Sequence, residues 1–164
     1  QLVSILDVEQ ILATAFGEVA VPDLEPIDTA PNSFLFFVDD SSVARREIGA
    51  VMDKLCVRTQ LATNGNEALN RLRALAAQAE RDGERLSESL RVILVDAEMP
   101  EMDGFVLTRH IKADRRFAGI PVVMHSSLSS EANKAMGVAV GVDAYVAKFN
   151  PEILADTLRP LIGR

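Results

Sequence analysis

The stretch "VILVDAEMPEMDG", residues 92–104, decides how the rest of the chain is read. Four apolar residues run without alternation into Asp96, and the chain then breaks on Met99-Pro100. An apolar run of this length without polar alternation suits a strand covered on both faces, as in a parallel sheet. Such a strand ends on a bare carboxylate, with Glu98 and Glu101 close behind it in the turn. A single Asp after a strand is ordinarily a turn or cap residue. What Asp96 does therefore depends on where the other acids fall.

The same grammar repeats on both sides of this stretch. "FLFFV" (34–38) is an apolar run ending at Asp39-Asp40, and "SVARREIGAVMDKL" has helical spacing at Val43, Ile48, Val51, Met52 and Leu55. "CVRTQLA" alternates like a strand and closes on Asn64-Gly65, and the helical segment after it carries Leu69, Leu72 and Leu75 on one face. Beyond Gly104, "GFVLTRHIKAD" reads as a helix, "IPVVMHS" as a strand and "SSEANKAMGVAV" as a helix that Gly141 can end. "DAYVAK" is a last strand, and "NPEILADTLR" a last helix with Asn150 at the N-cap and Pro151 at N1. Pro160 is expected to end or kink that helix. Five strand–helix units predict an α/β fold, a doubly wound five-stranded parallel sheet with helices on both faces.

Residues before Phe34 differ in composition. Residues 1–16 read as a short strand and a helix, and residues 17–33, with three prolines and four acids, as an extended linker. Residues 34–164 form the regular domain. The chain begins with Gln1 rather than Met, which suits a fragment. Its 164 residues are 48% hydrophobic, enough for a substantial core. A net charge of −7 with no long basic run argues against nucleic acid or an anionic membrane as partner. The lone cysteine, Cys56, stands at an apolar position, excludes an internal disulfide and fits a reducing, cytoplasmic setting. No apolar stretch reaches the ~18 residues of a membrane span.

In a doubly wound sheet, ligands bind beyond the carboxyl ends of the strands. Asp39 and Asp40 follow the first strand, Asp96 the third and Ser126 the fourth, and Lys148 ends the fifth. All are expected at one edge. Carboxylates gathered there repel one another, and a hard divalent cation relieves the repulsion. All-oxygen ligation favours Mg²⁺. With a lysine as point charge and a hydroxyl as donor, these are the parts of a phosphoryl-accepting site whose nucleophile is an aspartate.

"VDD" (38–40), "VDAEMPEMDG" (95–104), "HSS" (125–127) and "YVAKF" (145–149) resemble, in order, the signature blocks of receiver domains of two-component response regulators. The resemblance covers residues 34–164 and implies a flavodoxin-like fold. It implies phosphorylation on Asp96 by a histidine kinase, and Mg²⁺ held by Asp39, Asp40, Asp96 and the backbone carbonyl of Glu98. It makes Ser126 the hydroxyl that follows the phosphoryl group, Lys148 its cation, and Tyr145 the switch aromatic. Such a domain is a regulatory phosphoacceptor, not an enzyme acting on other substrates. Two features depart from the pattern: Phe149 stands where the family usually has proline, and the stretch 66–90 is longer than usual.

"SVARREI" and "HSSLSSEANKAMGVAVGVDAYVAKFNPEILADTL" are most similar to the receiver of CheV chemotaxis proteins, which join a CheW-like coupling domain to a receiver. In residues 1–16, "ILDVEQIL" resembles the end of a CheW-like domain. The partners this implies are a chemotaxis histidine kinase as phosphodonor and, through the missing CheW-like domain, the chemoreceptor–kinase array. Two alternatives remain open: a haloacid dehalogenase-type phosphatase, which also uses Asp, Mg²⁺ and Lys, and a pseudo-receiver that only binds partners. The first needs a second Asp two residues after the nucleophile, where this chain has Glu98.

Overall fold

The structure is a computed structural model and describes residues 21–127 and 130–163. The strand and helix expected in residues 1–16, and the first part of the expected linker, lie outside the described residues. Five strands form one parallel sheet: β1 (Phe34–Val38), β2 (Arg58–Ala62), β3 (Leu90–Asp96), β4 (Val122–Ser126) and β5 (Ala144–Ala147). Among the described residues five α-helices connect or follow them: α1 (Ser42–Leu55), α2 (Gly65–Arg81), α3 (Gly104–Ala113), α4 (Glu131–Val140) and α5 (Pro151–Ile162). The strand order is β2-β1-β3-β4-β5. The order reverses between β1 and β3, which makes their carboxyl ends the topological switch point.

The two-residue period of a strand divides the core. Leu35 and Phe37 of β1, with Val92 and Leu94 of β3, pack against Ile48, Met52 and Leu55 of α1 and against Leu154 and Leu158 of α5. Phe36, Val38, Ile93 and Val95 face the other side, against Leu69 and Leu72 of α2 and Leu107 and Ile111 of α3. Both faces of β1 and β3 are therefore apolar, which is why "FLFFV" and "VILV" show no alternation. A smaller cluster of Ala97, Phe105 and Met124 carries Val140, Val142 and Tyr145 at the α4 side.

Asn150, Pro151 and Gly141 act at their helix ends as the sequence predicts, and Ser41 and Asn64 add caps it did not single out. Ser41 Oγ accepts from Ala44 N at 3.2 Å, Asn64 caps α2, and Asn150 caps α5 with Pro151 in its first turn. Gly141 ends α4 in the left-handed region at φ 97°. Four expectations are corrected. Cys56 is exposed and ends α1 at φ 58°, at the left-handed cap and not on the buried face that runs from Ala44 to Leu55. Val43 is exposed, since it lies off the face of α1 that buries Ala44, Ile48, Val51, Met52 and Leu55. Pro160 lies inside α5, which continues to Ile162. The β2 strand starts at Arg58, later than its alternation suggests.

Residues 21–33 have no regular structure, yet they pack. Ile27 is buried with α1 and α5, and its N–H donates to the Leu55 carbonyl at 2.9 Å. That bond satisfies one of the carbonyls left open at a helix end. Among the described residues no helix is long and apolar enough to cross a membrane.

Candidate functional site at the carboxyl edge of the sheet

Parity fixes which side chains meet. Val92 and Leu94 point to the α1/α5 side, so Asp96, at the same parity, does too; the same holds for Asp39 after Phe37, His125 after Val123, and Lys148 after Val146. Ser126 has the opposite parity and shares its side with Met124 and Tyr145. The acids and the lysine thus meet on one side, and Ser126 stands between them and the Tyr145 cluster.

Asp39 and Asp96 are fully buried. Lys148 Nζ lies 2.9 Å from Asp96 Oδ1 and 3.1 Å from Asp39 Oδ2, so one ammonium serves two buried carboxylates. Asp39 Oδ1 accepts from Ser41 N at 2.8 Å, and its carbonyl accepts from Arg45 at 2.8 Å. Asp96 Oδ1 also accepts from Glu98 N at 3.1 Å. Asp40 is exposed at the mouth. Asp39, Asp40 and Asp96 each bring a carboxylate oxygen within 4.8 Å of the others.

Burial, reinforced by the charge of Asp39 and opposed by Lys148, pushes the Asp96 carboxyl up to about 8. Burial also works against the Lys148 ammonium, but the hydrogen bond and charge of Asp96 and the charge of Asp39 outweigh it and hold Lys148 above its ordinary value. Burial lowers the His125 imidazole to about 4, despite Asp39 Oδ2 lying 3.5 Å from Nε2. His125 is therefore neutral at pH 7, a core residue under the site.

The residues fit a divalent cation. With both ionised, two buried carboxylates against one ammonium leave an excess negative charge. Asp96 Oδ2 is buried with no hydrogen-bond partner among the described residues. The donors are all oxygen, the set that Mg²⁺ takes. A proton on Asp96 and a bound cation relieve the same charge and therefore compete. At pH 7, Mg²⁺ binding is expected to release close to one proton; calorimetry in two buffers of different ionisation enthalpy measures it. The folded-state value lies above the ordinary 3.8. Without metal, the folded chain thus holds the extra proton between pH ~4 and pH ~8, and stability falls as pH rises through that window.

The backbone behind Asp96 leaves no room for a side chain at Gly104. A Cβ there would run into the Asp96 carbonyl oxygen and lie 2.9 Å from Ala97 Cα. Gly104→Ala is expected to cost ~3 kcal/mol in denaturant unfolding and to weaken metal binding, because the end of β3 must shift.

The model of the response regulator receiver domain family matches residues 35–159. The chain belongs to the receiver domain family of response regulators. The receiver is 33% identical over 131 residues to chemotaxis protein CheY1 of Helicobacter pylori, covering 79% of this chain and 96% of that protein. It is 31% identical over 130 residues to chemotaxis protein CheV3 of the same species, covering 79% of this chain. The match spans only 41% of CheV3. Among solved structures, CheY4 of Vibrio cholerae superposes with a TM-score of 0.64 at 28% identity, covering 79% of this chain and 98% of that one.

The receiver brings together Asp39, Asp40, Asp96 and Lys148. Ser126 is buried at their border, and Tyr145 packs half-buried behind it against Met124 and Phe105. Gly137 of α4 makes room for the Tyr145 ring: a Cβ there would lie 3.2 Å from Cδ2. The Lys148–Phe149 bond is trans, and Phe149 takes φ 61°, a left-handed conformation that a bulky residue adopts only under constraint. Sequence reasoning missed the Glu98 carboxylate. Its Oε1 accepts from Ser126 Oγ at 2.8 Å, Ser127 Oγ at 2.9 Å and Ser127 N at 3.2 Å. Burial works against that carboxylate, but the two hydroxyls and the charge of Lys148 outweigh it and hold it below the ordinary range. An acid two residues after Asp96 was visible, but its direction is set by the turn.

Proposed function

We propose that this receiver is a phosphoacceptor switch of a chemotaxis two-component system, phosphorylated on Asp96 by a histidine kinase, with output through protein contacts. The observation that carries the reading is the position of Lys148 Nζ, 2.9 Å from Asp96 Oδ1 and 3.1 Å from Asp39 Oδ2, beside a third acid. An oxygen of Asp96 attacks the phosphorus of a phosphohistidine. The P–N bond breaks as the acyl phosphate forms, and the imidazole leaves with a proton from solvent. Lys148 holds a phosphoryl oxygen by charge. Asp39, Asp40, Asp96 and the Glu98 backbone carbonyl would hold Mg²⁺, which when bound would neutralise charge on the transferring group.

Ser126, on the Tyr145 side of the sheet, passes the event on. Its hydroxyl moves toward the phosphoryl group, Tyr145 turns inward, and the surface of α4, β5 and α5 changes. A differential stabilisation of ~1–3 kcal/mol suffices for a useful response. Ser126→Ala is expected to accept phosphate at Asp96 yet to lose most of the NMR shift around Tyr145 that a phosphoryl mimic causes in wild type. Equal shifts in both proteins would remove Ser126 from the switch.

The similarity to CheV3, and of "ILDVEQIL" to a CheW-like ending, supports a receiver attached to a coupling domain that joins it to the receptor–kinase array. Phosphotransfer from a phosphorylated chemotaxis kinase tests the reading. A stoichiometric, labile adduct is the expected result; steady hydrolysis of a phosphomonoester without one would favour a phosphatase.

A further inference from the structure

Glu98 stands two residues after Asp96, and its carboxylate lies on the donors of the neighbouring loop. Oε1 takes the Ser126 hydroxyl, the Ser127 hydroxyl and the Ser127 N–H at 2.8, 2.9 and 3.2 Å. The Glu98 N–H meanwhile donates to Asp96 Oδ1, which also touches Lys148. The carboxylate is thus an anion held at the border of the phosphoryl site by three donors. It clasps the turn after β3 to the end of β4.

A serine hydroxyl has one proton to donate. While Glu98 holds the Ser126 proton, a phosphoryl oxygen on Asp96 cannot have it. The two acceptors also repel, since both are anionic. On the reading of Asp96 as phosphoacceptor, we propose that the Glu98 side chain is a built-in competitor of the phosphoryl group. It occupies the Ser126 and Ser127 donors in the unphosphorylated protein and is expelled when Asp96 is modified. Glu98 is then a positioning residue that sets how readily the switch engages, through its carboxylate and separately from its backbone carbonyl.

The test measures the affinity of the protein for beryllofluoride in saturating Mg²⁺ by calorimetry. Glu98→Ala keeps the backbone carbonyl and is expected to bind ~10-fold more tightly than wild type, the equivalent of ~1.4 kcal/mol. Glu98→Gln, which keeps an acceptor but not the charge, is expected to fall between. Removing a negative charge tightens anion binding by itself, so the same change is made in a Ser126→Ala/Ser127→Ala background. There both hydroxyl donors are gone and only the Ser127 N–H of the three remains, so most of the gain should vanish. No gain in Glu98→Ala, or an equal gain in both backgrounds, overturns the clasp while leaving the phosphoacceptor reading intact. No beryllofluoride binding by wild type or any variant overturns that reading and the clasp with it.

Discussion

Asp96→Asn is expected to accept no phosphoryl group, a loss beyond ~10³-fold, because the amide offers no anionic oxygen for attack. The same substitution should make the protein more stable in metal-free buffer. Asp96 is fully buried, and burial together with the charge of Asp39 raises its carboxyl to about 8. Ionising it costs stability that an amide of the same shape does not. Asp96→Asn should therefore gain about 1–2 kcal/mol at pH 8, with the gain shrinking as pH falls and the wild-type carboxyl takes up its proton. Saturating Mg²⁺ should reverse the order, since it stabilises the protein that binds it more tightly. Urea unfolding at pH 5.5 and 8, with and without Mg²⁺, measures all four values. A variant less stable than wild type in metal-free buffer at pH 8 would mean that Asp96 is a structural ion-pair partner of Lys148.

Lys148→Ala is expected to have the opposite effect. Removing the ammonium leaves Asp39 and Asp96 buried together with nothing to balance them. Breaking a buried pair from one side costs ~3 kcal/mol or more, because the remaining charge is uncompensated. The loss should grow as pH rises, since protonation of one carboxyl relieves it at low pH. Mg²⁺ should restore part of the stability by replacing the missing positive charge. Thermal unfolding of the variant between pH 5 and pH 8 checks both trends. Unchanged stability across that range would show that Lys148 does not balance these acids.

Much of this site was legible because strand ends are legible. "FLFFV" and "VILV" had to be buried on both faces, so Asp39 and Asp96 had to emerge at one edge, and the parallel sheet brought Lys148 to that edge as well. The side of the sheet was encoded too: Asp39, Asp96 and Lys148 keep the parity of Phe37, Leu94 and Val146, whereas Ser126 does not. What could not be read are directions set by loops. The Glu98 side chain depends on a turn whose backbone places its N–H on Asp96 and its carboxylate on Ser126 and Ser127. The left-handed turn at Phe149 is invisible because propensity would place glycine or asparagine there. Cys56 misleads for a related reason, since hydropathy reports a residue type and not the φ at which a helix ends. Pro160 falls in the last turn of α5, where little helix remains to be broken.

Asp96 is proposed as the residue that takes the phosphoryl group. Incubating the protein with Mg²⁺ and a small phosphoramidate donor, trapping any acyl phosphate with borohydride, and locating the reduced residue by peptide mass tests this most directly. One reduced residue, Asp96 converted to homoserine, is expected in the Mg²⁺-containing sample and none in a sample lacking the metal. Reduction at another acid, or none at all beside a steady release of phosphate, would contradict the assignment.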